Sequence, residues 1–214
     1  VRDKNYVDQV FEEHSHQRGK MSFKFWISWI GFIACIGSEF ATAFWAASLF
    51  KDRVGGTSAS ATTVMLAYGI GMALGRWYVG QILFKLRLDQ QLLTVIGIQF
   101  IGFAIFWFSH IYVVSVFGLF LIGVGLSTQF ALASLRLIYL SDGRPDQAIG
   151  LSSLAAGIAI ALAPLALGLL DDQFGISRAY IMVPILIAIA FIVVLLIPTH
   201  VSQRKVHEAK GISE

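Results

Sequence analysis

From residue 24 onward, long apolar runs alternate with short polar breaks, giving six membrane-length segments at about 24–50, 60–84, 91–109, 112–140, 147–170 and 177–197. At a rise of about 1.5 Å per residue, roughly 20 apolar residues cross about 30 Å of hydrocarbon as a helix, so each segment can span. All are too long for strands, and lipid admits only helices or closed barrels because it leaves no backbone group a water partner. The pattern predicts an all-α membrane protein of six transmembrane helices. It divides into a cytoplasmic linker at 1–22, a six-helix bundle at 23–198 and a cytoplasmic tail at 199–214. Within the linker, Tyr6, Val7, Val10, Phe11 and His14 recur at helical spacing, fitting either a short amphipathic surface helix or a solvated linker.

Composition agrees with this reading. Of the 214 residues, 57% are hydrophobic and 14% charged, with mean hydropathy +0.73, far too apolar for one soluble core. The net charge of +3 does not point to nucleic acid, because the basic residues lie in loops and tails between apolar runs. Counted by side, Arg2, Lys4, Arg18, Lys20, Lys24, Lys85, Arg87, Arg144, Arg204, Lys205 and Lys210 face Lys51, Arg53 and Arg178. That asymmetry predicts a multi-pass plasma (inner) membrane protein with both termini in the cytoplasm. Arg76 and Arg136 lie inside helices near the cytoplasmic face, where they are expected to snorkel. Cys35 is the single cysteine, so no disulfide within the chain, metal site or cofactor is expected. The chain opens on Val1 with a polar stretch that carries no signal-peptide pattern, and it is expected to be an excerpt of a longer protein.

The candidate chemistry lies inside the spans. Glu39 is the one acid in mid-membrane, where an ionised side chain costs about 2.5–3.5 kcal/mol on insertion scales and therefore faces protein or a watery cavity. Ser38, Thr42 and Trp45 share about one third of the helix surface with it, a polar stripe suited to hydrogen bonding and stacking against a solute. The alternative is that Glu39 pairs with a neighbouring helix. In the second span, Tyr68-Gly-Ile-Gly-Met-Ala-Leu-Gly-Arg76 puts Gly71 and Gly75 in GxxxG spacing, which predicts a packing seam. Arg76, deep enough to need an acceptor, is expected to serve structure or gating. Gln99 is the one strongly polar residue of a bulky third span that reads as peripheral. Gln129 and Arg136, seven residues apart in the fourth span, share a face, and Gln129 is expected to point into the bundle or a cavity. The fifth span is rich in Ala and Gly with Pro164 late in it; the sixth is aliphatic and reads as peripheral. Three-helix units of one polar-striped, one glycine-rich and one bulky helix thus occur twice, in the manner of an inverted repeat.

Gly71 to Leu88, GMALGRWYVGQILFKLRL, resembles the cytoplasmic glycine-rich basic signature of the major facilitator superfamily (MFS), with Gly75-Arg76, Gly80 and Lys85 matching. The signature's acid is replaced by Phe84 and a following glycine by Arg87. Nearly the whole chain resembles the C-terminal six-helix half of such a transporter, and Glu39 with Trp45 is similar to the arrangement in fucose-permease-like members. The resemblance implies half of an MFS fold, built from two inverted three-helix repeats, in which the first helix of each unit lines a central cavity. The partners it implies are a missing N-terminal six-helix half or a second copy, the bilayer and a small-molecule solute.

The expected function is secondary active transport of a small solute by alternating access, coupled to protons through Glu39. Ser38, Thr42, Trp45, Tyr68 and Gln129 are expected along the substrate or proton pathway. Gly71, Gly75, Arg76, Gly80, Lys85 and Arg136 are expected in gating or packing. Two other classes stand beside it: a receptor or assembly partner on a transporter scaffold, and a six-helix intramembrane serine protease. The protease lacks support, because Gly125-Leu-Ser127-Thr and Gly150-Leu-Ser152-Ser have no closing glycine and His110 lies at a membrane edge.

Overall fold

A computed structural model describes residues 20–55 and 57–199, except the Ser58 side chain. The expected amphipathic helix and most of the expected linker and tail lie outside those residues. Helix α1 (Phe23–Val54) begins where Ser22 Oγ accepts the Phe25 N–H at 3.3 Å. It ends at Gly55, whose φ of 74° is a left-handed conformation that glycine adopts without a Cβ clash. Helix α2 (Ser58–Leu83) is capped by Thr57, whose Oγ1 accepts the Ser60 N–H at 3.2 Å. After the turn at 84–87 come α3 (Leu88–Phe108), α4 (Tyr112–Leu126) and α5 (Gln129–Tyr139). The long α6 (Pro145–Phe174) starts on a proline, which at a first helical position forfeits no hydrogen bond. Gly175 separates it from α7 (Ile176–Ala179), and α8 (Met182–Leu196) follows.

Among the described residues five helical rods are long and apolar enough to cross a membrane: Phe23–Val54, Leu88–Phe108, Tyr112–Tyr139, Pro145–Phe174 and Ile176–Leu196. The second expected span is present as α2, whose 26 residues have the length, but hydroxyl residues, glycines and Arg76 make it more polar than the others. The fourth expected span is two helices, α4 and α5, broken at Ser127 and Thr128. Short connections make successive rods antiparallel, and contacts between their ends follow from this. At one end Arg144 Nη1 donates to the Lys20 carbonyl at 2.6 Å; at the other Ser177 Oγ donates to Asp52 Oδ2 at 2.8 Å.

The rods pack reciprocally. Helix α1 lies mainly against α6 and α8, whereas α4 lies mainly against α2 and α3. Two indoles tie α1 to α6: Trp29 Nε1 donates to the Leu151 carbonyl at 2.8 Å and Trp45 Nε1 to the Pro164 carbonyl at 3.0 Å. Where hydrocarbon surrounds a bundle, burial of apolar surface does not drive helices together, so close backbone approach and hydrogen bonds must do so. Glycines on α4 provide that approach. A Cβ on Gly118 would lie 2.8 Å from the Phe106 nitrogen of α3, and one on Gly125 would lie 2.5 Å from the Gln99 nitrogen. On the α2 side, Gly71 and Gly75 leave no room for a methyl group against Phe120 and Ser127. Gly80, by contrast, has open space around it.

These contacts give a paired prediction. Gly118→Val drives a branched side chain into the α3 backbone and should cost more than the ~1–3 kcal/mol typical of overpacking against yielding side chains. Gly80→Ala should be neutral or gain up to about 1 kcal/mol in helix propensity. Thermal unfolding of both variants in one detergent checks this, and equal losses would contradict the seam.

Candidate functional site

Along the middle of the bundle an open cavity of about 470 Å³ is lined by Ile36, Glu39 and Phe40 of α1, Arg76 of α2, the Ser127-Thr128 break, Phe130 and Ala131 of α5, and Ala156 and Ile160 of α6. Two of these ten residues ionise, and they carry opposite charges. Glu39 is half-buried and Arg76 exposed. Among the described residues neither has a hydrogen-bond or ion-pair partner; the one ion pair there joins Arg136 to Asp89. Tyr68, eight residues before Arg76 on α2, is 7% exposed. The remaining wall is aliphatic and aromatic. Such a surface, largely apolar with a few convergent polar groups, is the usual character of a small-molecule site.

The other residues of the α1 stripe lie elsewhere. Ser38 and Thr42 are fully buried and do not reach the cavity. Thr42 Oγ1 donates to the Ser38 carbonyl at 2.7 Å, and Ser38 Oγ donates to the Cys35 carbonyl at 2.8 Å. Ser38 Oγ also accepts from Gln99 Nε2 at 3.0 Å, and Gln99 Oε1 accepts from Gln129 Nε2 at 2.7 Å. A chain of side-chain hydrogen bonds therefore joins α1, α3 and α5 in the bundle interior. It explains Gln129, which points into the bundle and not into the cavity. Trp45 faces α6, its indole seated beneath Gly168, where a Cβ would lie 2.9 Å from the ring. Gln99, on a helix expected to be peripheral, is 1% exposed and is the middle link.

A second polar cluster lies at the end of the bundle where α3 begins. Arg136, 3% exposed, does not snorkel. Its Nε donates to Asp89 Oδ1 at 2.9 Å, its Nη1 to Ser28 Oγ at 3.0 Å and its Nη2 to the Ile197 carbonyl. Asp89 Oδ2 accepts from the Thr199 N–H at 2.6 Å and from Thr199 Oγ1 at 2.9 Å. One guanidinium and one carboxylate thus fasten α1, α3, α5 and the end of α8. Asp89 precedes the third apolar run in the sequence and was not expected to pair with Arg136. A usable signal was present, since an acid in the first turn of a helix is favoured by the amide dipoles. Lys85 lies at the same end on the exposed turn, its Nζ 5.7 Å from the Phe84 ring centroid, and takes no part in the cluster.

The side chains of the protease reading are engaged locally among the described residues. Ser127 Oγ donates to the Val124 carbonyl at 2.6 Å and Ser152 Oγ to the Ala148 carbonyl at 2.8 Å, while His110 Nδ1 sits 3.3 Å from the Arg53 carbonyl at the loop before α4. Among the described residues no group of three or more His, Cys, Asp or Glu could hold a metal ion.

No family model matches the chain, and no curated protein does. Its coordinates are similar to a crystal structure of an MFS transporter, FucP, in the outward conformation, with a TM-score of 0.69. The fold is MFS-like. At 16% identity this likeness concerns architecture alone; it covers 81% of the chain and 42% of the transporter, so the chain spans less than half of that protein's length. An MFS-like helical bundle with long apolar rods is a multi-pass membrane fold, and the structure it resembles is that of a transporter.

Proposed function

We propose that this chain is half of a secondary active transporter that moves a small solute by alternating access, with protons carried on Glu39. The observation that carries the reading is a carboxylate and a guanidinium, neither paired among the described residues, on the wall of one open cavity midway along an MFS-like bundle. A carboxylate in such a place can take a proton from one aqueous side and release it to the other as access alternates. The second half of the translocation path comes from a further six-helix unit or a second copy, facing the open side of the cavity. Reciprocal packing of α1 on α6 and α8, and of α4 on α2 and α3, supports two three-helix units related by an inverted repeat. Eleven Lys or Arg against three support an inner-membrane orientation with both termini cytoplasmic.

The test is reconstitution of the protein into vesicles that contain a pH-sensitive dye. Addition of a transported solute should acidify the lumen, and an inward gradient of one pH unit should sustain up to about tenfold accumulation per proton. Solute uptake with no accompanying proton movement would remove the coupling. A protein that binds solute but moves none would be a receptor.

A further inference from the structure

We infer that the solute is a small organic carboxylate whose charge is held by Arg76 and whose body lies along Ile36, Phe40 and Ile160; this rests on the transport reading above and deepens it. Arg76 presents five N–H donors in a planar fork matched to a carboxylate, and among the described residues none of them is engaged. It stands seven residues before the end of α2, about two turns into the helix, and is exposed on the cavity wall where a solute can meet it.

The donors around it have the same preference. The helical ladder of the fourth rod stops at Ser127 N–H to the Gly123 carbonyl, 3.1 Å, and resumes at Leu132 N–H to the Thr128 carbonyl, 3.0 Å. Amides at the start of α5 fall in that gap, and Thr128 and Ala131 there line the cavity. The guanidinium and the start of an eleven-residue helix therefore border one space.

Charge balance then selects among solutes. When the cavity is empty, Glu39 and Arg76 sum to zero. A proton on Glu39 together with a neutral solute or a zwitterion leaves one net positive charge in an apolar site, and a monoanion with that proton restores zero. On this half of the path, both the empty and the loaded forms then carry no net charge into low dielectric. An inorganic anion would leave the aliphatic and aromatic wall unused, which points to an organic one.

The experiment measures thermal stabilisation of the lipid-embedded protein by acetate, hexanoate and benzoate, each against its neutral amide, with phenylalanine as the zwitterion. The expected result is stabilisation by at least one carboxylate at concentrations where its amide gives none, binding at least tenfold weaker in Arg76→Gln, and partial recovery in Arg76→Lys. Uptake of that carboxylate in excess of that into protein-free vesicles, and lost in Arg76→Gln, should respond to a pH gradient and ignore an imposed potential. Stabilisation by amides or phenylalanine equal to that by carboxylates overturns the inference, as does carboxylate binding unchanged in Arg76→Gln. If carboxylates bind through Arg76 and cross without protons, the coupling reading fails alone; if neutral solutes enter with protons, the carboxylate inference fails alone.

Discussion

Asp89→Ala should be the most destabilising single substitution in the bundle. It leaves the Arg136 guanidinium, 3% exposed, without its carboxylate, and deletes the acceptor of two hydrogen bonds from Thr199. Breaking a buried pair by removing one partner costs about 3–5 kcal/mol, because the remaining charge stays desolvated. For a chain of this size that corresponds to a fall in melting temperature on the order of ten degrees. The double variant Asp89→Ala with Arg136→Met removes the stranded charge and should recover most of the loss, since a buried ion pair replaced by apolar groups is often nearly neutral. Thermal unfolding of the single and double variants in one lipid mixture decides the matter. An Asp89→Ala protein within about 1 kcal/mol of its parent would mean that water reaches Arg136 and that the cluster does not fasten the helices.

The largest functional effect is expected from Glu39→Gln. Glutamine keeps the size and part of the hydrogen-bonding capacity of the side chain, but it cannot carry a proton, so accumulation driven by a pH gradient should fall from up to about tenfold per unit to equality across the membrane. The protein should still fold, because Glu39 holds no partner whose loss would strand a buried group. Exchange of labelled for unlabelled solute, which needs no net proton movement, should persist in that variant. The measurement is a pair of vesicle assays, one driven by the gradient and one at equilibrium exchange. Gradient-driven accumulation at the parental level in Glu39→Gln would assign proton carriage to another group.

How much of this could be read in advance depended on the residue. The rods at 23–54, 88–108 and 145–174 follow from long apolar stretches, and Glu39 stands out because it is the one acid in the middle of a span rather than near its end. The break at Ser127 and Thr128 was less legible. Gly123 and Gly125 precede two hydroxyl residues there, a composition that weakens a helix without specifying where its ladder lapses. The stripe of Ser38, Glu39, Thr42 and Trp45 was legible as a shared sector, but the sector proved wide enough for its members to meet different neighbours: Gln99, the cavity, a carbonyl of α1 itself and α6.

The sequence alone determined that the chain is helical and of membrane length, that its basic residues are biased by side, and that a single carboxylate lies deep within a span. These properties follow from local composition and from the hydrocarbon's intolerance of unpaired backbone. Tertiary structure alone decided that Arg76 shares a cavity with Glu39, that Arg136 turns inward to Asp89, and that Gln99 links Ser38 to Gln129. In lipid, the outward and inward faces of a rod are both apolar, so hydropathy cannot say which face a neighbour covers. Arg136, Asp89, Gln99 and Gln129 find partners on elements 30 to 110 residues away, at positions fixed only once glycine contacts have set how closely the backbones approach.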